Sequence, residues 1–130
     1  MKVFSEEWAK SFCETINSSS EYREAAQKWI WPLILTMTND VADCSVFLDL
    51  KEGKCKKAHK ASPEDFETAE FVISAGRESW QKILNGELDP MMAVMTKKLE
   101  LKKGNVGVLV RNVNAAKELI KTAAAVETEF

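Results

Sequence analysis

The chain is poor in the residues from which active sites are usually built. Among 130 residues there is one histidine, His59, and three cysteines, Cys13, Cys44 and Cys55. The cysteines are odd in number and far apart, which gives no sign of a disulfide framework; free thiols in a reducing cytoplasm fit that usage best. No Cys-x-x-Cys, no His-x-x-x-His and no specific pair of carboxylates occurs, so no metal site and no cofactor is signalled. With only five glycines, the segment Gly104-Asn105-Val106-Gly107 is too sparse for a phosphate loop, and no Lys-Ser/Thr follows it. A plain turn accounts for it. A net charge of -2 gives no global attraction to nucleic acid. The longest apolar run, residues 29–35, is far short of the roughly 20 residues that span a bilayer. The start, Met1-Lys2-Val3-Phe4-Ser5, has no apolar core after its lysine, so no signal peptide is expected, and no targeting tripeptide ends the chain. A cytoplasmic location is the expectation.

What remains is an ordinary globular composition, 45% hydrophobic and 29% charged, of a length that suits one domain over residues 1–130. Phe4, Trp8, Phe12 and Ile16 share one face of a helix that Ser5 can cap. Ser18 and Glu21 have capping-box spacing, which predicts a second short helix running to about Lys28, the pair forming a packed arm or a lid. Trp31, Leu33, Leu35 and Met37 share one face of a strand, with Asn39-Asp40 as its turn. Val46, Leu48 and Leu50 alternate with polar residues in a second strand. Glu52-Gly53-Lys54 reads as a hairpin turn into a lysine-rich edge strand near residues 55–60.

Ser62-Pro63-Glu64-Asp65 is a cap followed by proline and acids, a helix start. Phe71, Ile73 and Ala75 form a fourth strand. Gly76 introduces a helix with Trp80, Ile83 and Leu84 inward, and Gly86 stops it. Asp89-Pro90 opens another helix, and Leu99 and Leu101 mark a fifth strand. Val106, Leu109, Val110, Val113, Ala116, Ile120 and Ala123 then form a helical stripe, broken at Asn112 or Asn114. Five strands with one polar face need helices over the other face, an α+β arrangement.

His59 is the one candidate for acid–base work. Cys55, four residues earlier, would lie roughly 13 Å away along a strand, out of hydrogen-bond reach. A thiol hydrolase using Cys13 or Cys44 with His59 is the enzymatic alternative; an exposed edge histidine is the plain one. Glu64, Asp65, Glu67 and Glu70 are explained by caps and a solvated turn. Two basic clusters, Lys51, Lys54, Lys56, Lys57 and Lys60, then Lys97, Lys98, Lys102 and Lys103, are solvated faces or points of contact with an anionic membrane surface. No aromatic is interleaved with them, so nucleic acid is not the expected partner. Met91, Met92 and Met95 are flexible and polarizable, suited to packing around apolar ligands of differing shape or around one another.

Ordered motifs favour one of those readings. Ser45-Val46-Phe47-Leu48-Asp49-Leu50-Lys51-Glu52-Gly53-Lys54 is followed by Ala69-Glu70-Phe71-Val72-Ile73-Ser74. A helix from Trp80 then ends in Asn85-Gly86-Glu87-Leu88-Asp89-Pro90, and Lys98-Leu99-Glu100-Leu101 and Gly104-Asn105-Val106-Gly107 close the series. Over about residues 45–110 the chain resembles the sterol carrier protein-2 (SCP-2) family. The resemblance implies a five-stranded mixed sheet with helices packed on one face and an apolar tunnel between the layers for a fatty acyl chain, acyl-CoA or sterol-like lipid. Carried over by position, the tunnel-side residues are Val46, Leu48, Phe71, Ile73, Trp80, Leu84, Met92, Met95 and Leu109. Lys97 and Lys98 are the headgroup candidates. The chain departs from the family at Lys97, where glycine is frequent, and in a longer, alanine-rich C-terminal helix. The expected function is non-catalytic lipid binding or transfer. Its rivals are an interaction module of the same fold, packed solid and able to form a homodimer, and the thiol hydrolase.

Overall fold

The computed structural model describes residues 1–38 and 44–130. The expected turn at Asn39-Asp40 lies outside the described residues. Helix α1 (Glu6–Ser18) starts as its sequence dictates: Ser5 Oγ accepts the Trp8 amide at 3.1 Å, and Glu6 and Glu7 offset the helix dipole. Trp8, Ala9, Phe12 and Ile16 are buried. The cap of α2 (Ser20–Ala25) is Ser19 rather than Ser18. Ser18 still belongs to the last turn of α1 and its hydroxyl donates back to Glu14 O, so Ser19 is the first residue free to accept the Tyr22 amide. Helix α2 also stops at Ala25, short of Lys28.

The sheet contains β1 (Leu33–Thr38), β2 (Ser45–Lys51), β3 (Lys54–Lys60), β4 (Phe71–Gly76) and β5 (Leu99–Lys103), in the order β3-β2-β1-β4-β5. β1 and β4 are parallel and the other pairs antiparallel, the expected mixed sheet. The β2–β3 hairpin turns on Glu52 and Gly53, at φ 51° and 82°, two consecutive left-handed residues that match the twist of a tight hairpin. α1 packs on this hairpin, as the packed-arm alternative expects. At the β3 edge the Asn17 amide donates to Cys55 O and accepts the Cys55 amide, both at 2.9 Å, as a neighbouring strand would.

Leu33, Leu35, Met37, Val46, Leu48, Leu50, Phe71, Ile73, Ala75 and Leu99 face the helices and form one core with them. The opposite face is not wholly polar. Ile34, Phe47, Val72 and Ala69 make a second buried cluster there, because the central strands β1 and β2 and the inner strand β4 are flanked on both sides. Ala69 directly follows α3 (Pro63–Thr68). That helix carries a capping box in which Asp65 Oδ2 accepts the Ser62 amide at 2.8 Å and the His59 Nε2 contact at 3.0 Å.

α4 (Arg77–Leu84) follows β4 without a loop, and its Trp80 Nε1 donates to Thr36 O at 2.9 Å. α5 (Pro90–Met95) is capped by Asp89, whose carboxylate accepts the Met91 and Met92 amides. It ends with Lys97 at φ 60° and the paired bonds Lys98 N to Ala93 O and Lys97 N to Val94 O, a Schellman stop with lysine in the left-handed position. The apolar stripe after Gly104 is broken at Asn112, which ends α6 (Val106–Arg111) and begins α7 (Val113–Ala124). Both termini are tied down: Val3 N donates to Glu129 O, and Trp8 Nε1 to Thr128 Oγ1.

Gly104 has φ 122°, and a Cβ there would lie 2.4 Å from Phe71 Cδ1. Gly104→Ala combines backbone strain with overpacking and is expected to cost about 2–3 kcal/mol, read as a lower urea midpoint with an unchanged slope. Partial burial works against ionisation of Asp65, but the Ser62 amide and the His59 ring outweigh it and hold the carboxyl below the usual carboxylate range. A carboxylate depressed in the folded state contributes stability above its unfolded pKa and loses it as pH falls through the folded one. Asp65→Asn should therefore lower stability by about 1 kcal/mol at pH 7, a gap that closes below about pH 4. Thermal unfolding across that range would read it; a gap of constant size would remove the role assigned to the carboxylate.

Candidate functional site

Between the sheet and the last three helices the packing leaves an apolar cavity. Leu33, Ile73, Leu99 and Leu101 form its floor, from β1, β4 and β5. Met91 and Val94 of α5 and Leu109 of α6 form the roof. Ala115, Ala116, Leu119 and Ile120 of α7 close one side, and Tyr22 and Trp29 the back. The alanines of α7 create the space, since a methyl group stands where a larger side chain would reach the floor. Burial pushes the Tyr22 phenol well above its ordinary range, so it stays neutral and brings no charge to the wall. The free volume is about 40 Å³. Small-molecule sites run to roughly 300–1,000 Å³, so the cavity in this state is too small for a lipid chain.

Its roof is the least anchored part of the helical layer. α5 buries only Ala93, and α6 buries no residue fully. Each is six residues long, well below the roughly 12–15 residues at which an isolated helix becomes even marginal. Segments with few buried apolar contacts open at low free energy.

The residues expected from sequence are distributed unevenly about this space. Ile73 and Leu109 line it. Val46, Leu48, Phe71, Trp80 and Leu84 are buried in the surrounding core, with the Phe71 and Trp29 ring centroids 4.9 Å apart. Met92 and Met95 are 51% and 73% exposed and turn away from it. The phase of α5 explains this: Asp89-Pro90 fixes where the helix begins, and from there Met91 and Val94 point inward. Lys97 and Lys98 line a separate cleft at the end of the sheet, beside the first turn of α4. The sequence reading missed Tyr22, Trp29, Ala115 and Leu119. Its usable signal was the alanine content of α7 on the stripe that faces the sheet.

His59 stacks on Phe47, ring centroids 5.2 Å apart, on the outer face of the sheet. Cys13, Cys44 and Cys55 pack against the core on the helical face. The sheet therefore separates the imidazole from the thiols. Burial, with a contact from Cys13, also pushes the Cys55 thiol up, which keeps it protonated and weakly nucleophilic. Among the described residues no group of three or more His, Cys, Asp or Glu side chains could hold a metal ion, and no helix is long and apolar enough to cross a membrane.

Comparison with known proteins agrees with this architecture. The model of the SCP-2 sterol transfer family matches residues 9–117. A crystal structure of sterol carrier protein 2 superposes with a TM-score of 0.85 at 38% identity, covering 97% of this chain and all of that one. A protein of Thermus thermophilus, put forward as a sterol carrier protein, is also 38% identical, with a TM-score of 0.82 over 99% of this chain and 92% of that one. The apo form of sterol carrier protein 2 from Yarrowia lipolytica shares the fold at 20% identity and a TM-score of 0.58, over 88% of each chain. No curated protein sequence matches. With a family model spanning most of its length and a five-stranded mixed sheet like that of its structural neighbours, the chain belongs to the SCP-2 sterol transfer family.

Proposed function

We propose that this protein binds one apolar lipid chain, fatty acyl or sterol-like, between β4–β5 and helices α5–α7, without a catalytic step. The observation that carries the reading is the composition of the cavity wall: aliphatic and aromatic side chains throughout except at Glu100 of β5, under a roof of two short helices. Family membership and the 38% identity to a sterol carrier protein 2 support it. Binding requires α5 and α6 to move outward, Ile73 and Leu109 then touching the chain. Each methylene taken from water contributes roughly 0.8 kcal/mol, so a long acyl chain offsets the loss of the few contacts that hold the roof. The neutral Tyr22 and the apolar floor favour the hydrocarbon part of a ligand over its polar end.

The closed volume favours a second reading, an interaction module of the same fold with no ligand. The two separate cleanly in a binding experiment. A fluorescent acyl probe should bind the wild type at micromolar concentration and be displaced by a long-chain fatty acid. Ala116→Phe places a ring in the cavity and should weaken probe binding by about tenfold or more, about 1.4 kcal/mol, with the fold retained by circular dichroism. Absence of displaceable binding in the wild type would decide for the module.

A further inference from the structure

The end of the sheet at β1 and β4 carries a cleft that the lipid reading does not use. β1 and β4 run parallel, so their carboxyl ends, Thr38 and Gly76, lie together at one end of the sheet. Both residues line an open cleft of about 710 Å³, together with Arg77 and Ser79 from the start of α4 and Lys97, Lys98 and Lys102 from the approach to β5 and the strand itself. Gly76 is the N-cap of α4 and supplies no side-chain acceptor, so among the described residues no N-cap side chain meets the amides of the first turn. The positive end of that helix dipole and a set of cationic side chains therefore converge on one space. Among the described residues two acids also line it, and each is engaged, Glu100 with Lys102 at 2.7 Å and Glu78 with Lys82 at 3.4 Å; Arg77 is likewise engaged, which leaves Lys97 and Lys98 as the cations the argument uses.

The second observation is independent of the helix end. Ser74 lines the cleft and is 2% exposed, and its hydroxyl has no hydrogen-bond partner. Two neighbouring hydroxyls on the same face, Thr36 and Ser45, satisfy each other at 2.6 Å. A buried hydroxyl without a partner is costly, and it persists most readily where a ligand completes it. Lys97 adds to the pattern: it occupies the left-handed stop of α5, φ 60°, where glycine would sit without strain.

We propose that this cleft binds a phosphoryl group, with the Ser74 hydroxyl, the first-turn amides of α4 and the ammonium groups of Lys97 and Lys98 as donors. A tetrahedral anion presents acceptors in several directions, which matches donors arriving from a strand, a helix end and a turn. Glu100 of β5 borders both spaces, but none of the proposed donors lines the cavity, so the inference stands apart from lipid binding. Failure of an acyl probe to bind has no bearing on it. The phosphoryl group comes either from a free phosphate or from the headgroup of a phospholipid.

Amide chemical shifts of the full chain distinguish these sources. Titration with inorganic phosphate, against chloride at matched ionic strength, should shift Ser74 and residues 76–79 saturably. If phosphate leaves them unmoved but lysophosphatidic acid shifts the same amides saturably, the source is a phospholipid headgroup. Ser74→Ala removes the orphan hydroxyl, so its melting temperature should equal or exceed that of the wild type while affinity falls about tenfold. Lys97→Gly should likewise raise the melting temperature, by relieving the left-handed backbone, and weaken binding. Shifts that never saturate beyond the chloride control with either probe, or variants that titrate like the wild type, would overturn the proposal.

Discussion

The parallel pairing of β1 with β4 is the constraint on which the rest of this structure depends. Six residues of each strand are in register, from Leu33 beside Phe71 to Thr38 beside Gly76. Parallel neighbours cannot be joined by a tight turn, so the chain between them must leave the sheet and return. It does so by building the β2–β3 hairpin on the far side of β1 and crossing back through α3. The pairing also places two strands inside the sheet with both faces covered, which is why Ile34 and Val72 are as apolar as Leu35 and Ile73. α4 then follows β4 directly, held to β1 by the bond from Trp80 to Thr36 O.

This arrangement divides the molecule into a tight half and a loose half. Over β2 and β3 the large side chains of α1, Trp8, Phe12 and Ile16, fill the interface completely, and Asn17 bonds the β3 backbone at Cys55. Over β4 and β5 the covering helices are short, and α7 presents Ala115, Ala116 and Ala123 towards the core. Small residues beneath short helices leave space, and interiors otherwise packed like crystals concentrate their adaptability where such space occurs. The lipid reading and the helix-end cleft both belong to this half, and Glu100 of β5 borders both spaces.

Much of the fold was legible in the sequence because its signals are local. Ser5, Ser62-Pro63 and Asp89-Pro90 mark helix starts through hydrogen bonds spanning two or three residues, and each was found where its spacing placed it. Strand alternation at Val46, Leu48 and Leu50 and at Phe71, Ile73 and Ala75 survived for the same reason. Ser18 against Ser19 failed by one residue, since adjacent serines differ only in which one remains inside the preceding helix. The cavity wall was less legible. Apolar periodicity identifies the inward stripe of a helix, but on a helix of six residues the choice between Met91 with Val94 and Met92 with Met95 depends on how that short cylinder is rotated.

By itself the sequence determined the element order, the caps, the two-residue periods and the family, all properties of residues within a few positions of one another or of motifs in fixed order. Tertiary structure decided what lies opposite what. It set His59 on one face of the sheet and the cysteines on the other, brought Tyr22 and Trp29 to the back of the cavity, and turned Met92 and Met95 outward. It also brought Ser74, Lys97 and Lys98 to the start of α4. Those relations arise from strand pairing and layer packing across tens of residues, and no local pattern encodes them. For the motif-rich segment of residues 85–107, the sequence named its parts; only the packing showed that its methionines face two ways and its lysines face a different site.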